Sequence, residues 1–112
     1  MTVIAEVAVT PIGKGESLTP WVARAVNVIA RSGLKHQVGP MGTTMEGDWE
    51  AVARVLGDIL RNVSEDCNRV SMSVRIDYRK GAQSMEEKVQ SVARTIKGDG
   101  PEARTRESQA RS

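Results

Sequence analysis

The sequence predicts a single α+β domain in which two amphipathic helices cover one face of an antiparallel sheet. Three observations support this prediction. Alternating apolar residues indicate strands at residues 3–10 and 69–78. Apolar residues at helical spacing indicate helices at residues 20–32 and 49–65. A length of 112 residues, 39% of them hydrophobic, suits one domain with a modest core.

The first strand and the first helix are bounded by residues that end or begin such elements. Residues 3–10 place Val and Ala on one face, and Pro11 ends the strand. Thr19 is the predicted N-cap of the helix, because Pro20 can occupy the first helical position without losing a hydrogen bond. Gly33 is predicted to end the helix as a left-handed C-cap.

A β-hairpin and a second helix follow. Residues 35–38 and 43–46 are the predicted strands, joined by a turn at residues 39–42 that contains two glycines and a proline. Asp48 is the predicted N-cap of the helix. Gly57 costs this helix about 1 kcal/mol relative to alanine, and close packing is the expected reason for its small size. The apolar stripe of the helix comprises Val52, Val55, Leu56, Ile59, Leu60 and Val63.

The last predicted strand is followed by a further helix. Ser84 and Glu87 have the spacing of a capping box, which predicts a C-terminal helix that ends at Gly98. The order β-α-β-β-α-β, with this additional helix, is the ferredoxin-like plan. We therefore expect a domain over residues 1–97 and a polar, flexible tail over residues 98–112.

Composition and charge narrow the classes of function. A net charge of +2 does not favour a general nucleic-acid or membrane-surface binder. No apolar run approaches the roughly 18 residues of a membrane span. The chain begins with a strand pattern, so no secretory signal is expected. Cys67 is the only cysteine and His36 the only histidine, which excludes an internal disulfide and the common Cys/His zinc sites and fits a cytoplasmic location.

Three stretches of the chain resemble a known family. They are the first strand with its Pro-Ile-Gly exit, the run Gly-Pro-Met-Gly-Thr-Thr-Met-Glu-Gly-Asp at residues 39–48, and the run Arg-Ile-Asp-Tyr-Arg-Lys-Gly at residues 75–81 with the Ser-Met-Glu-Glu-Lys-Val segment at 84–89. Over residues 2–97 the chain resembles the small thiamine-binding protein family, which is related to YkoF-type thiamine- and hydroxymethylpyrimidine-binding domains. The resemblance implies a ferredoxin-like fold, dimers and tetramers formed through sheet contacts, and binding of thiamine or its pyrimidine part without established catalysis.

The chemistry of thiamine selects candidate residues on the predicted hairpin. A permanently charged thiazolium and an aminopyrimidine require a carboxylate, hydroxyl or backbone groups and an apolar wall. Glu46 is the first carboxylate candidate, with a solvated strand-end glutamate as its alternative. Thr43 and Thr44 are the candidate hydroxyls, although threonine is also simply common in strands.

Two further carboxylates lie on the first and last predicted strands. Glu6 should face Arg75, water or a cationic ligand, because an unpaired carboxylate in a subunit interface is costly. Asp77 is a second anionic candidate, with strand-end turn chemistry as its alternative. Trp21 and Trp49 could offer an aromatic face to the thiazolium, but packing at a helix end is the stronger expectation.

The sequence thus predicts non-catalytic binding of thiamine or a related aminopyrimidine, with no cofactor, because no nucleophile–base pair or metal cluster is visible. A phosphate-binding enzyme of the same plan is disfavoured, since the loop after the first strand lacks an arginine and contains Glu16. An RNA-binding domain is disfavoured by the absence of paired aromatic residues. A structural or regulatory oligomeric module without a small-molecule ligand remains open.

Self-association is expected because the helices cover only one face of the sheet. The opposite face contains Ile4 and Ala8 among its polar residues. We therefore expect a homo-oligomer, and the resemblance implies a tetramer built as a dimer of dimers.

Overall fold

The elements follow one another in the predicted order. In the computed structural model, which describes residues 1–81 and 85–96, they are β1 (Thr2–Pro11), α1 (Thr19–Ser32), β2 (Lys35–Val38), β3 (Thr43–Asp48), α2 (Trp49–Ser64), β4 (Val70–Tyr78) and α3 (Met85–Ile96). The chain divides into two compact units, the first ending at residue 82 and the second containing α3. The first unit contains the sheet, α1 and α2.

The sheet has the strand order β2-β3-β1-β4, and all its neighbouring strands are antiparallel. β1 is central and is the longest strand. It pairs with β4 as far as Pro11↔Val70 but with β3 only as far as Val7↔Thr43. This topology, with the additional C-terminal helix, confirms the predicted ferredoxin-like α+β fold.

The core lies between the sheet and the two helices α1 and α2. One face of β1 supplies Val3, Ala5, Val7 and Val9, all of them buried. Burial of each of the three valine side chains contributes about 1.5–3 kcal/mol. The largest fully buried side chains are Ile29, Met45, Ile59, Val52 and Val63.

Two of the predicted helix caps agree with the structure and one differs. The carboxylate of Asp48 accepts a hydrogen bond from the Glu50 N–H at 3.3 Å, which confirms it as the N-cap of α2. Gly33 ends α1 with φ 77°, the left-handed conformation that favours glycine. The predicted N-cap Thr19 is instead the first residue of α1, because the carbonyl of Leu18 already accepts the N–H of Val22 at 2.9 Å.

Several predictions for the C-terminal part lie outside the described residues. These are the capping residue Ser84, the helix end at Gly98 and the flexible tail over residues 98–112. The described part of α3 begins at Met85, and the boundary at residue 97 stays a prediction. None of the helices among residues 1–81 and 85–96 combines the length and apolar character needed to cross a membrane.

Candidate functional site

Four of the five predicted site residues lie on the sheet face opposite α1 and α2. We call this face the polar face; its members on the three longest strands include Ile4, Glu6, Thr44, Glu46, Arg75 and Asp77. In its first row, Ile4 lies between Glu46 of β3 and Asp77 of β4. Because neighbouring strands are about 4.8 Å apart, the backbones of the two acidic residues lie roughly 10 Å from each other.

The Glu46 side chain is only 13% exposed, and its Oε2 lies 3.6 Å from the Lys35 Nζ on the neighbouring strand. This ion pair brings a cation to one oxygen of the Glu46 carboxylate, and Asp77 is the second carboxylate of the same row. The arrangement differs from the freely solvated strand end that was the alternative for Glu46.

The second row of the polar face centres on Glu6. Its register partners are Thr44 of β3 and Arg75 of β4. Glu6 and Arg75 are direct neighbours, yet no ion pair joins them in the part of the chain that the structure describes. The Glu6 carboxylate therefore remains available to a cation.

Thr43, the fifth predicted residue, lies on the other face of the sheet. Alternation along β3 directs its side chain toward the helices, and it is 4% exposed. Its hydroxyl makes no hydrogen bond to any other described group. Thr43 and Thr44 thus cannot hold one ligand together, and the predicted set is divided between two faces.

A cleft of about 340 Å³ opens beside Thr43, where β1 extends past the end of β3. The turn at residues 39–42 is closed by a 2.9 Å hydrogen bond from the Gly39 N–H to the Gly42 carbonyl. Between this turn, the end of β1 and the first half of α1, the cleft has a mainly apolar wall. Its apolar members include Val7, Val9, Leu18, Val22, Ala25 and Met41.

One backbone edge of β1 faces this cleft. In an antiparallel sheet, alternate residues direct their N–H and C=O groups to opposite neighbours. The Ile12 N–H donates to the Arg69 carbonyl at 2.8 Å, and the Trp49 N–H donates to the Met1 carbonyl at 2.8 Å. Even-numbered residues of β1 therefore bond β4, and odd-numbered ones bond β3. Val9 is an odd-numbered residue past the last β1–β3 pair, and no described protein group bonds its N–H or C=O.

Gly42 lines the cleft and also lies close to Glu6 of the polar face. A Cβ on Gly42 would lie 3.0 Å from the Val7 carbonyl oxygen and 3.2 Å from the Glu6 Cγ. Only a glycine lets the turn pass this close to β1. Glu6 is thus a predicted carboxylate adjacent to the edge of the cleft.

The two tryptophans are packing residues. Trp21 and Trp49 both pack against the core. The Trp21 ring is already covered by cations, with the Arg24 guanidinium 5.1 Å and the Lys14 Nζ 5.9 Å from its centroid. A thiazolium would have to displace these side chains, so the packing alternative is favoured for Trp21.

Other parts of the described chain offer less to a ligand. A groove of about 470 Å³ between α1 and α2 is bordered by charged residues, among them the Arg61–Asp58 pair at 2.7 Å. Cys67 is a buried free thiol. No group of three His, Cys, Asp or Glu side chains among residues 1–81 and 85–96 is arranged to hold a metal ion.

The fold is that of a small ferredoxin-like protein, with a cleft of about 340 Å³ where β1 extends past β3. The chain belongs to the family described as "Thiamine-binding protein", whose profile matches residues 5–93.

Relatives support this assignment in sequence and in structure. UPF0045 protein MJ1052 from Methanocaldococcus jannaschii is 34% identical over 91 residues, which cover 80% of this chain and 91% of the relative. UPF0045 protein Mb1933 from Mycobacterium bovis is 36% identical over 98 residues, covering 86% of this chain and 96% of the relative. The crystal structure of MJ1052 matches with a TM-score of 0.78 and 33% identity over 82% of this chain and 96% of that one.

A second solved structure comes from Thermotoga maritima. It is the protein TM0486, provisionally described as a thiamine biosynthesis or salvage protein. It matches with a TM-score of 0.75 and 29% identity over 82% of this chain and 99% of that one.

Thr43 is the one residue of the predicted set that lines the cleft, and sequence reasoning missed the roles of Val9 and Gly42 there. The sequence pattern predicts a core position for Val9 and a turn position for Gly42, and it indicates no further role for either. The lengths of the predicted strands do indicate an overhang. The strand at residues 3–10 is twice as long as the one at 43–46, so it must extend past it at one end. Which end extends depends on register, and the short-range pattern does not fix the register.

Proposed function

We propose that the chain binds thiamine, or a related aminopyrimidine such as hydroxymethylpyrimidine, in the cleft beside β1 and does not transform it. The observation that supports this proposal is the combination of an apolar wall with a few unpaired polar groups. Small-molecule sites are typically concave and mostly apolar, with volumes of about 300–1,000 Å³ and a few polar groups that set orientation. The cleft of about 340 Å³ has these properties, since Thr43 adds a hydroxyl to its wall.

The charge of thiamine gives Glu6 a role. A pyrimidine ring within the cleft would place the thiazolium at its edge, where the Glu6 side chain contacts the turn at Gly42. Glu46 and Asp77 are further carboxylates on the polar face, one row away. We propose that Glu6 is the carboxylate nearest the cation and that the other two act at longer range.

Binding without catalysis suits the chemistry of the described residues. The family name denotes binding. His36 Nδ1 lies 2.9 Å from the carbonyl oxygen of Leu34, the residue before β2, while Cys67 is buried after α2. A free buried thiol also fits the reducing conditions of the cytoplasm, which we propose as the location of the protein.

Isothermal titration calorimetry with thiamine and with neutral hydroxymethylpyrimidine tests the proposal. Thr43→Val removes one hydroxyl while keeping the shape of the side chain, so we expect both ligands to bind about 2- to 10-fold more weakly. Glu6→Gln removes one charge, so we expect thiamine to bind about 10- to 100-fold more weakly and hydroxymethylpyrimidine to bind almost as before.

Glu46→Gln is the matched control on the same face, because it removes a carboxylate one row farther from the cleft. A larger loss of thiamine binding in Glu46→Gln than in Glu6→Gln would move the ligand to the polar face. If millimolar thiamine and hydroxymethylpyrimidine produce neither heat nor a thermal shift, the binding proposal fails and the oligomeric-module alternative replaces it.

A further inference from the structure

We infer that the backbone of Val9 selects the amino form of the pyrimidine. Its N–H would donate to a ring nitrogen, and its C=O would accept from the neighbouring exocyclic amine. This inference rests on the proposed function and assigns the group that gives the cleft its specificity.

The geometry of an extended strand makes this pairing possible. The N–H and C=O of one residue point the same way, which is why residues of a hydrogen-bonded antiparallel pair exchange two bonds. Val7 uses its two groups on Thr43, the last pair with β3. Val9 is the next residue with the same orientation, and its groups face the cleft instead of a strand.

The free edge is too short for an added peptide strand. Strand addition uses main-chain bonds at successive alternate residues. The next residue with the orientation of Val9 is Pro11, which has no N–H. Val9 therefore offers the one remaining N–H before the strand ends, which suits the edge of a single heterocycle better than an extended peptide.

The chemistry of the ligand determines which edge fits. A 4-aminopyrimidine presents a ring-nitrogen acceptor beside an amine donor, which complements the N–H and C=O of Val9. A 4-oxo analogue presents a ring N–H beside a carbonyl, so donor would face donor and acceptor would face acceptor. A site built around specific hydrogen bonds rejects a ligand that leaves its polar groups unpaired.

Thiamine and its 4-oxo analogue, oxythiamine, form the first test. Both contain the same charged thiazolium, so the contribution of the carboxylates cancels in the comparison. Calorimetry on the full chain should show oxythiamine binding at least about 30-fold more weakly than thiamine, on the scale of two unmade hydrogen bonds.

Val9→Pro and Val9→Ala form the second test. Proline removes the Val9 N–H, whereas alanine trims the side chain and keeps that N–H. The native Pro11 shows that β1 accommodates proline in this orientation. We expect Val9→Pro to bind thiamine about tenfold more weakly than Val9→Ala does. Thr10→Pro instead removes a donor used in the Thr10↔Ser71 pair, so it should lower the melting temperature well below that of Val9→Pro.

The outcomes separate the two proposals. If neither thiamine nor oxythiamine binds, the proposed function fails. Equal affinities for the two ligands would overturn the role of Val9 while leaving thiamine binding intact. Equal affinities of Val9→Pro and Val9→Ala for thiamine would do the same. If Val9→Pro does not fold, the comparison of the two ligands on the native chain still decides.

Discussion

The space around Gly57 in α2 is limited by a single neighbouring side chain, that of Arg61. A Cβ at this position would lie 3.1 Å from Nη2 and 3.3 Å from Nη1 of Arg61, whose guanidinium also bonds the Asp58 carboxylate at 2.7 Å. The neighbour is thus a side chain of the same helix. The expected close packing against another element is not what surrounds Gly57.

Gly57→Ala should therefore stabilise the protein. Alanine regains up to about 1 kcal/mol of helix propensity, and the flexible end of Arg61 can move by the few tenths of an ångström required. Urea unfolding measures the change. The same substitution made in an Arg61→Ala background should gain at least as much, because the crowding is then gone. A lower unfolding midpoint in both backgrounds would contradict this explanation.

At the scale of elements, features set by residues close in sequence could be predicted, whereas features set by long-range strand pairing could not. The strands, α1, α2 and the Asp48 cap follow from periodicity and capping chemistry, which involve neighbours in sequence. α1 begins one residue earlier than predicted, because proline is tolerated at either of the first two helical positions. The cleft depends on the offset between β1 and β3, which arises from contacts distant in sequence. The predicted site also combined Thr43 and Thr44, although alternation along a strand directs neighbouring residues to opposite faces.

The turn at residues 39–42 provides a test at this scale. In Gly42→Ala, the new Cβ meets the Val7 carbonyl oxygen at 3.0 Å, and a central strand backbone cannot yield. We expect the turn to shift away from β1, with about 1–3 kcal/mol lost from the free energy of unfolding and weaker thiamine binding. Met41→Ala is the control, since Met41 is 83% exposed and should leave the unfolding midpoint unchanged. An unaltered midpoint in Gly42→Ala would show that the turn is looser than this geometry requires.

At the scale of the whole molecule, the polar face is the expected surface for self-association. α1 and α2 pack on the opposite face, and Ile4 lies between two acidic residues at the centre of its row. Such a mixed surface can meet its own copy around a two-fold axis, with carboxylates of one protomer near cations of its partner.

Light scattering at tens of micromolar should give a homotetramer, assembled as a dimer of dimers. Ile4→Glu adds a charge at the centre of the polar face and should shift the protein to a smaller species. Leu60→Glu is the matched control, because Leu60 is an exposed apolar residue of α2. A monomeric native protein would refute the expectation, as would equal dissociation by both variants.

Pro11 has a consequence for the behaviour of the protein in a crowded solution. A strand end that overhangs its neighbour is a hazard, because exposed amide groups can template the growth of intermolecular sheets. Val9 and Pro11 are the two residues whose backbone faces outward here, and Pro11 has no N–H. A second chain would therefore find too few amide groups to add a strand. The residue that limits the open edge of β1 to a single N–H is therefore also expected to act as a gatekeeper against aggregation.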